Sequence, residues 1–411
     1  MPINISLLSL GNALRAIFML LLTKLVAFSY GPSGLVALGS LQNILGILAP
    51  VSSLGTNSAA TLLISKAKQE KLNSVILTLV FVLLVGSLIG IALLFLLLSY
   101  FNNAMPANVE LNVTALIIYC FSSSLYAIAA GYLQGRTLIA SFAYGTIIGS
   151  VINLLFLVWA ASGWSLNNTI NLAVFQLAIN AFVLLFILRK DIWKWLFSTK
   201  KFQFSLVGSL LQVGLFSLTS GVILSAGFIN IRQVITEDMG IVAAGNWDAA
   251  IRTFPIISLL VCMPIFSRYF SSLCIASKRS ELFSIYKQIM FITFIPFSLG
   301  LAIIFLFPSL IVELLFSDSF VLYMQTIMLF IIGDIIRSYA TLLNYFNLAS
   351  LRYTRHFIGE LVFIVTLLFL ISFIPINSFD QLALFYIVSS SLSLTIVGIF
   401  FMREAGNLSY I

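Results

Sequence analysis

Little of this chain is charged: Asp, Glu, Lys and Arg make up 8% of its 411 residues. Soluble domains carry roughly a quarter charged residues, so this chain has too few to clothe a water-facing surface. Histidine occurs once, at His356. Cysteine occurs three times, at Cys120, Cys262 and Cys274, in or beside apolar runs and without ligand spacing. A Cys/His metal centre is thereby excluded, and the thiols read as reduced packing residues. No glycine-rich phosphate loop opens a helix, and no paired acids stand in a long loop, so neither cofactor nor metal chemistry is expected. Long polar connections are missing too, which leaves no room for a folded extramembrane domain. The first residues lack the basic start of a cleavable signal, and the first apolar run is too long for one, so it reads as a retained span.

What is present is apolar sequence, 61% hydrophobic with 14% aromatic. It falls into about twelve runs long enough to cross a bilayer: 6–28, 34–64, 75–99, 113–133, 137–160, 170–188, 205–228, 240–266, 283–305, 322–346, 357–373 and 382–402. Backbone groups in hydrocarbon must bond internally, which predicts helices, and no run alternates as a barrel strand would. The fold class is therefore all-α, a polytopic membrane protein. The connection at 189–204 divides the runs six and six, giving an N-terminal lobe at 1–188 and a C-terminal lobe at 205–411. Its Trp193, Trp195 and Phe197 alternate with charges, as suits a cytoplasmic segment at the headgroup boundary. A short repeat supports the division: Gly34-Leu-Val-Ala-Leu-Gly39 opens the second run and Gly240-Ile-Val-Ala-Ala-Gly245 the eighth. Two pseudo-symmetric six-helix lobes around a central cavity are the expected architecture, a plan common in secondary transporters.

The basic residues are sorted by side. Alternate connections hold Lys66, Lys68, Lys71, Arg136, Arg189, Lys190, Lys194, Lys200, Lys201, Arg268, Lys278, Arg279, Arg352, Arg355 and Arg403. The opposite set holds Glu110, Glu237, Asp238, Glu313, Asp318 and Asp380, with Arg232 as its only basic member. That bias puts both termini in the cytoplasm of a bacterial inner-membrane protein. The formal net charge of +8 thus reflects attraction to anionic membrane lipids and not a nucleic-acid partner.

Arg15, Lys24, Asp248, Arg252, Asp334, Arg337 and Glu360 are ionisable residues inside spans. Each costs roughly 2.5–3.5 kcal/mol at a helix centre, so each needs a reason to persist. Four basic against three acidic groups leave a positive surplus, which suggests an anionic ligand. Asp248 and Arg252, four apart, are spaced to pair, as are Asp334 and Arg337, three apart. Both pairs read either as structural or as ligand-binding. Asp334, Arg337, Thr341 and Asn344 make one polar stripe, and Gln42, Gly46, Pro50, Ser53 and Asn57 another, as a wetted cavity would require. Lys24 stands near the outer end of its span, where it either lines the cavity or snorkels to headgroups. Glu360 reads as a proton-coupling candidate or as a partner for His356.

Several segments carry a resemblance. Phe28-Ser-Tyr-Gly-Pro-Ser-Gly-Leu35, Gly245-Asn-Trp-Asp248, Ile332-Gly-Asp-Ile-Ile-Arg337, Leu348-Ala-Ser-Leu-Arg352-Tyr and Gly359-Glu360 are similar, in this order, to the Wzx-type lipid-linked oligosaccharide flippases. These include the O-antigen and enterobacterial common antigen flippases, in the polysaccharide transporter branch of the MATE-like MOP exporter superfamily. The resemblance implies a twelve-helix exporter that moves undecaprenyl-diphosphate-linked oligosaccharide from the cytoplasmic to the periplasmic leaflet. It also implies a polysaccharide polymerase and chain-length machinery as further candidate partners. The family's cationic positions match at Arg15, Lys24 and Arg337, and Asp334 and Glu360 match too. The departure is Asp248, where the family often has Gln, and which stands poised to neutralise Arg252. Two other readings stay open: a multidrug cation exporter of the same fold, and a membrane-embedded polysaccharide polymerase or ligase.

Overall fold

The computed structural model describes residues 2–407, apart from 68, 107–108, 162, 164, 197–201, most of 253–278, 317–319, 321–323 and 350–351. Several residues of the eighth expected span after Arg252, Cys274 and residues 197–201 of the 189–204 connection therefore lie outside the described residues. Among those described, the chain is helical and contains no strand. The first seven helices are α1 (Pro2–Ser52), α2 (Asn57–Lys66), α3 (Gln69–Leu96), α4 (Leu98–Asn103), α5 (Val113–Gly135), α6 (Ile139–Ala160) and α7 (Leu166–Ile187). There follow α8 (Arg189–Leu196), α9 (Phe204–Met239), α10 (Ile241–Ile251), α11 (Arg279–Leu306), α12 (Pro308–Leu315), α13 (Met324–Ala349), α14 (Tyr353–Phe373) and α15 (Phe379–Asn407).

Ten of the described helical segments are long and apolar enough to cross a membrane. The difference from twelve has two sources. The first two expected spans form the continuous segment Ser9–Ser52, and the eighth is described without interruption only through its opening helix α10. Within α1 the helix is interrupted at Gly31, with φ 62° and ψ −155°. A side chain on Gly34 would stand 2.6 Å from Cβ of Tyr30, far closer than the roughly 5–6 Å between such positions on a straight helix. The chain therefore bends sharply there, and Pro32 re-enters the helix as a residue that has no amide proton to lose.

Two compact units arise. Unit 1 comprises Met1–Phe18 and Ala37–Ile229, and unit 2 comprises Met19–Val36 and Asn230–Ile411. They are drawn differently from the linear lobes 1–188 and 205–411: the middle of α1 belongs with the C-terminal helices, and most of α9 belongs with the N-terminal ones. Burial is the physical reason, because a long helix joins whichever neighbours cover its apolar faces at each level. In unit 1, α5 packs on α7, α2 and α3, and α6 on α7, over a core that includes Leu79, Leu83, Ala129, Leu133 and Leu184. In unit 2, α13 packs on α15, which packs on α14, with Tyr286, Ile289, Leu342 and Phe401 in its core. Large apolar side chains cover the outside, among them Phe182, Phe291, Phe294 and Phe373, each more than 60% exposed. That much exposed Phe suits lipid and not water.

Unit 1 also contains a helix break that the sequence left unmarked. Between α1 and α2, residues Ser53–Thr56 leave the helix, with Leu54 at φ 47° and Gly55 at φ 62°. Hydroxyls take over the loosened carbonyls: Ser124 donates to Ser52 O at 2.7 Å, Ser123 to Ala49 O at 3.1 Å, and Ser87 to the Ser124 hydroxyl at 2.7 Å. Irregular backbone at membrane depth survives only with such partners.

Candidate functional site

The buried charges among the described residues are Arg232, Asp248, Arg252, Asp334 and Arg337, and all belong to unit 2. They gather in two groups joined by aromatic rings.

The first group corrects the sequence reading. Both carboxylate oxygens of Asp248 accept from Arg232, with Nε to Oδ2 at 2.7 Å and Nη2 to Oδ1 at 2.6 Å. This parallel fork is the strongest form of the Arg–carboxylate bond. The pair is 3% and 1% exposed. Sequence spacing had assigned Asp248 to Arg252 and had placed Arg232 in an outer connection. Instead α9 continues to Met239, carrying Arg232 two turns inside it and against α10. A period of four residues only says which side chains share a face; the helix packed opposite offered a better-aligned donor. Arg252, also buried, donates to the carbonyl of Leu35 at 3.4 Å and lies within electrostatic reach of both Asp248 and Arg232. Among the described residues, the group carries two guanidiniums against one carboxylate.

Close backbone contact brings these parts together. A side chain at Gly245 would fall 2.5 Å from the carbonyl oxygen of Pro32, so glycine lets α10 lie directly on the bend of α1. The alignment of Gly34 with Gly240 does not extend to backbone shape: Gly240 is left-handed at φ 86°, whereas in the first half the break is three residues earlier, at Gly31.

The second group lies across α13, α14 and α15. Tyr386 donates to Asp334 Oδ1 at 2.6 Å, and Arg337 Nη1 donates to the Tyr386 oxygen at 3.5 Å. The Arg337 guanidinium also sits 4.1 Å over the ring of Phe363, a cation–π contact that helps to hold it. Asp334 and Arg337 are thus gathered as the spacing suggested, but a phenol that the sequence did not single out joins them. Trp247, next to Asp248, packs edge-on against Tyr386 at 6.1 Å and Phe330 at 5.4 Å, which links the two groups.

The other site candidates are dispersed. Arg15 is half-buried in unit 1, within electrostatic reach of Tyr119 on α5. Lys24 is half-buried in unit 2 and makes no ion pair or hydrogen bond among the described residues. Gln42 is half-buried in unit 1. The stripe that begins at Gln42 is in part a packing seam, since a side chain at Gly46 would meet Ser225 Oγ at 2.3 Å and Gly221 faces Pro50. Asn344 is fully buried and engaged: it donates to His356 O at 3.0 Å and accepts from Asn347 at 2.9 Å, fastening α13 to the start of α14. Glu360 is half-buried and forms no bond to His356 among the described contacts. Lys287, passed over in the sequence, is exposed near the start of α11. No cluster of three His, Cys, Asp or Glu able to hold a metal ion occurs among the described residues.

Among solved structures, the chain is similar to an inward-facing multidrug resistance MATE family transporter of the MOP superfamily. The TM-score is 0.73 at 14% identity, covering 99% of this chain and 96% of that one. An outward-facing transporter of the same description gives 0.73 at 15% identity, covering 99% and 95%. A MATE protein in complex with MaL6 gives 0.73 at 15%, covering 99% and 97%. No family model matches the sequence, and no curated protein matches it significantly. At such low identity the likeness speaks for the fold alone. The chain is accordingly an all-α, multi-pass membrane protein with the fold of MATE transporters.

Proposed function

We propose that this protein is a flippase. It moves an undecaprenyl-diphosphate-linked oligosaccharide of the O-antigen type from the cytoplasmic to the periplasmic leaflet of a bacterial inner membrane by alternating access, with both termini cytoplasmic. One observation carries the reading: among the described residues of unit 2 the buried charge is three arginines against two aspartates, a positive interior. A diphosphate headgroup is the ligand that such an interior attracts. Arg252 and Arg337 are its phosphate-facing candidates, with half-buried Lys24 and Arg15 as further cations. Outward movement of an anion is favoured by an inside-negative potential, by about 2.3 kcal/mol per charge per 100 mV. Glu360, outside both groups, remains the candidate for ion coupling. The sequence resemblance to Wzx-type flippases points the same way.

Export of organic cations is the second reading, because the structural neighbours include transporters described as multidrug resistance proteins. Such a substrate calls for an available intramembrane carboxylate. Among the described residues both fully buried acids are engaged, Asp248 by Arg232 and Asp334 by Tyr386, which leaves half-buried Glu360 as the carboxylate that this reading would have to use. A polymerase or ligase would call for basic catalytic groups on the periplasmic side, and Arg232, the one outer candidate, is buried. The deciding experiment is reconstitution into vesicles with a fluorescent lipid-linked oligosaccharide. The flippase reading expects the label to equilibrate between leaflets in a protein-dependent way, and a label that stays in its original leaflet would reject it.

A further inference from the structure

Asparagine is costly on the lipid-facing side of a membrane helix, because hydrocarbon offers its amide nothing to bond. On α7, Asn168, Asn171, Phe175 and Ile179 recur at three- and four-residue spacing and so form one stripe. The stripe continues into Phe182 and Phe186, which are 72% and 57% exposed. Asn171 lies about 8 Å inside the start of α7. It is half-buried, and its side chain bonds to no other described residue. Asn168, one turn nearer the helix start, is exposed and likewise lacks a side-chain bond among the described residues. Beside this stripe, within unit 1, is a cavity of about 440 Å³ closed by Phe156 of α6 and by Asn112, the residue that caps α5. Asn112 Oδ1 accepts from Ala115 N at 3.0 Å, so the cap uses the oxygen of this amide and not its nitrogen. Three amides therefore stand at one end of a groove whose remaining wall is aromatic and aliphatic.

We propose that this groove binds a sugar-bearing lipid, its chain along Phe156, Phe175 and Ile179 and its sugar hydroxyls on Asn112, Asn168 and Asn171. The dimensions suit one lipid in one leaflet. From Asn168 to Ile179 the helix rises about 16 Å, roughly half of a hydrocarbon core of about 30 Å. The chemistry selects the head. A carboxamide both donates and accepts, as a sugar hydroxyl does, so the two pair without any charge. No Lys or Arg is among the residues lining the cavity. Exposed Glu110, two residues before Asn112, adds a negative charge nearby. A phosphate head would thus meet no counter-charge here, whereas an uncharged sugar needs none. The inference goes beyond the flippase reading and stands without it. In the topology proposed above, the amide end of the groove lies on the periplasmic side.

The test is native mass spectrometry of the full-length protein released from amine-oxide micelles, a detergent that carries no sugar. The micelles hold equal amounts of a glucosyl diacylglycerol and of a phosphatidylcholine with the same acyl chains, so the two probes differ only in the head. The parent protein should retain the glucolipid several-fold over the phospholipid. Asn168→Ala combined with Asn171→Leu should lower glucolipid affinity about tenfold, the worth of one to two hydrogen bonds, and leave phosphatidylcholine unchanged. Leucine is well tolerated on a membrane helix, and Asn171→Gln, which keeps the amide, should keep the preference. Phe175→Ala should weaken both lipids alike, since it removes wall from the chain and nothing from the head. Phe294→Ala, on the outside of unit 2, should alter neither. Equal retention of both lipids by the parent would mean that the groove holds ordinary membrane lipid only, and would overturn the inference. A glucolipid preference that survives the double asparagine change would overturn it as well, because the sugar would then be held elsewhere.

Discussion

The Tyr386 hydroxyl donates to Asp334 at 2.6 Å, joining α15 to α13 through the centre of unit 2. Arg337, one turn beyond Asp334, reaches the same oxygen at 3.5 Å, so the phenol lies between a buried acid and a buried base. Tyr386→Phe keeps the ring and removes the hydroxyl. Taking this hydrogen bond away from a buried carboxylate should cost about 1–3 kcal/mol, seen as a lower unfolding midpoint in detergent. Gly333→Ala should also destabilise, because the new methyl would stand 2.6 Å from the Tyr386 ring.

Asp248 and Arg232 should behave as partners in stability. Asp248→Ala leaves Arg232 buried without its carboxylate, at a cost of about 3–5 kcal/mol, whereas Arg232→Met combined with Asp248→Leu should lose far less. Arg252→Ala should not rescue Asp248→Ala. Thermal unfolding of the four proteins checks this, and rescue by the Arg252 change would return the pairing to the one that sequence spacing suggests.

Lys24 and Arg337 separate the substrate reading from simpler roles. Lys24→Ala and Arg337→Ala are each expected to abolish flipping while the protein still inserts and accumulates. Lys24→Arg should be milder because a cation remains, although its geometry differs. Normal surface polysaccharide in a Lys24→Ala strain would show that the ammonium only snorkels to the headgroups.

The break after α1 depends on two glycines. Gly55 is left-handed, and a methyl there would also fall 2.0 Å from the carbonyl oxygen of Gly214, while a methyl on Gly214 would meet Leu54 O at 2.1 Å. The backbone strain alone amounts to roughly 1–2 kcal/mol for Gly55→Ala. Both single changes should lower stability, and combining them should not help, because each collides with main chain. Expression and unfolding midpoints of the three variants provide the measurement.

Topology is testable independently. Reporters fused after Lys68, Lys194 and Arg352 should read cytoplasmic, and fusions after Asn103, Trp164 and Asp318 periplasmic. An opposite reading at any site would break the six-plus-six scheme around it.

The fold class was readable because the bilayer imposes two coarse demands, length and hydrophobicity, and both are sums over a local window. The Asp334–Arg337 grouping was readable as well, since positions three apart share a helix face wherever the helix lies. Arg232 shows where such reasoning stops. Four acidic or amide residues within nine positions, Asn230, Gln233, Glu237 and Asp238, made that stretch look like a connection, yet α9 runs through it to Met239.

By itself, the sequence determined that this is a helical membrane protein, with most of its basic residues in alternate connections between apolar runs. Window averages decide those properties, and no knowledge of neighbours is needed. Tertiary structure alone decided that Asp248 belongs to Arg232 and not to Arg252, that Tyr386 completes the Asp334 group, and that α1 is shared between the two units. Each of these depends on a group from a different helix arriving at hydrogen-bonding distance. At that range, orientation and burial fix the energy, and spacing along the chain carries no information about either.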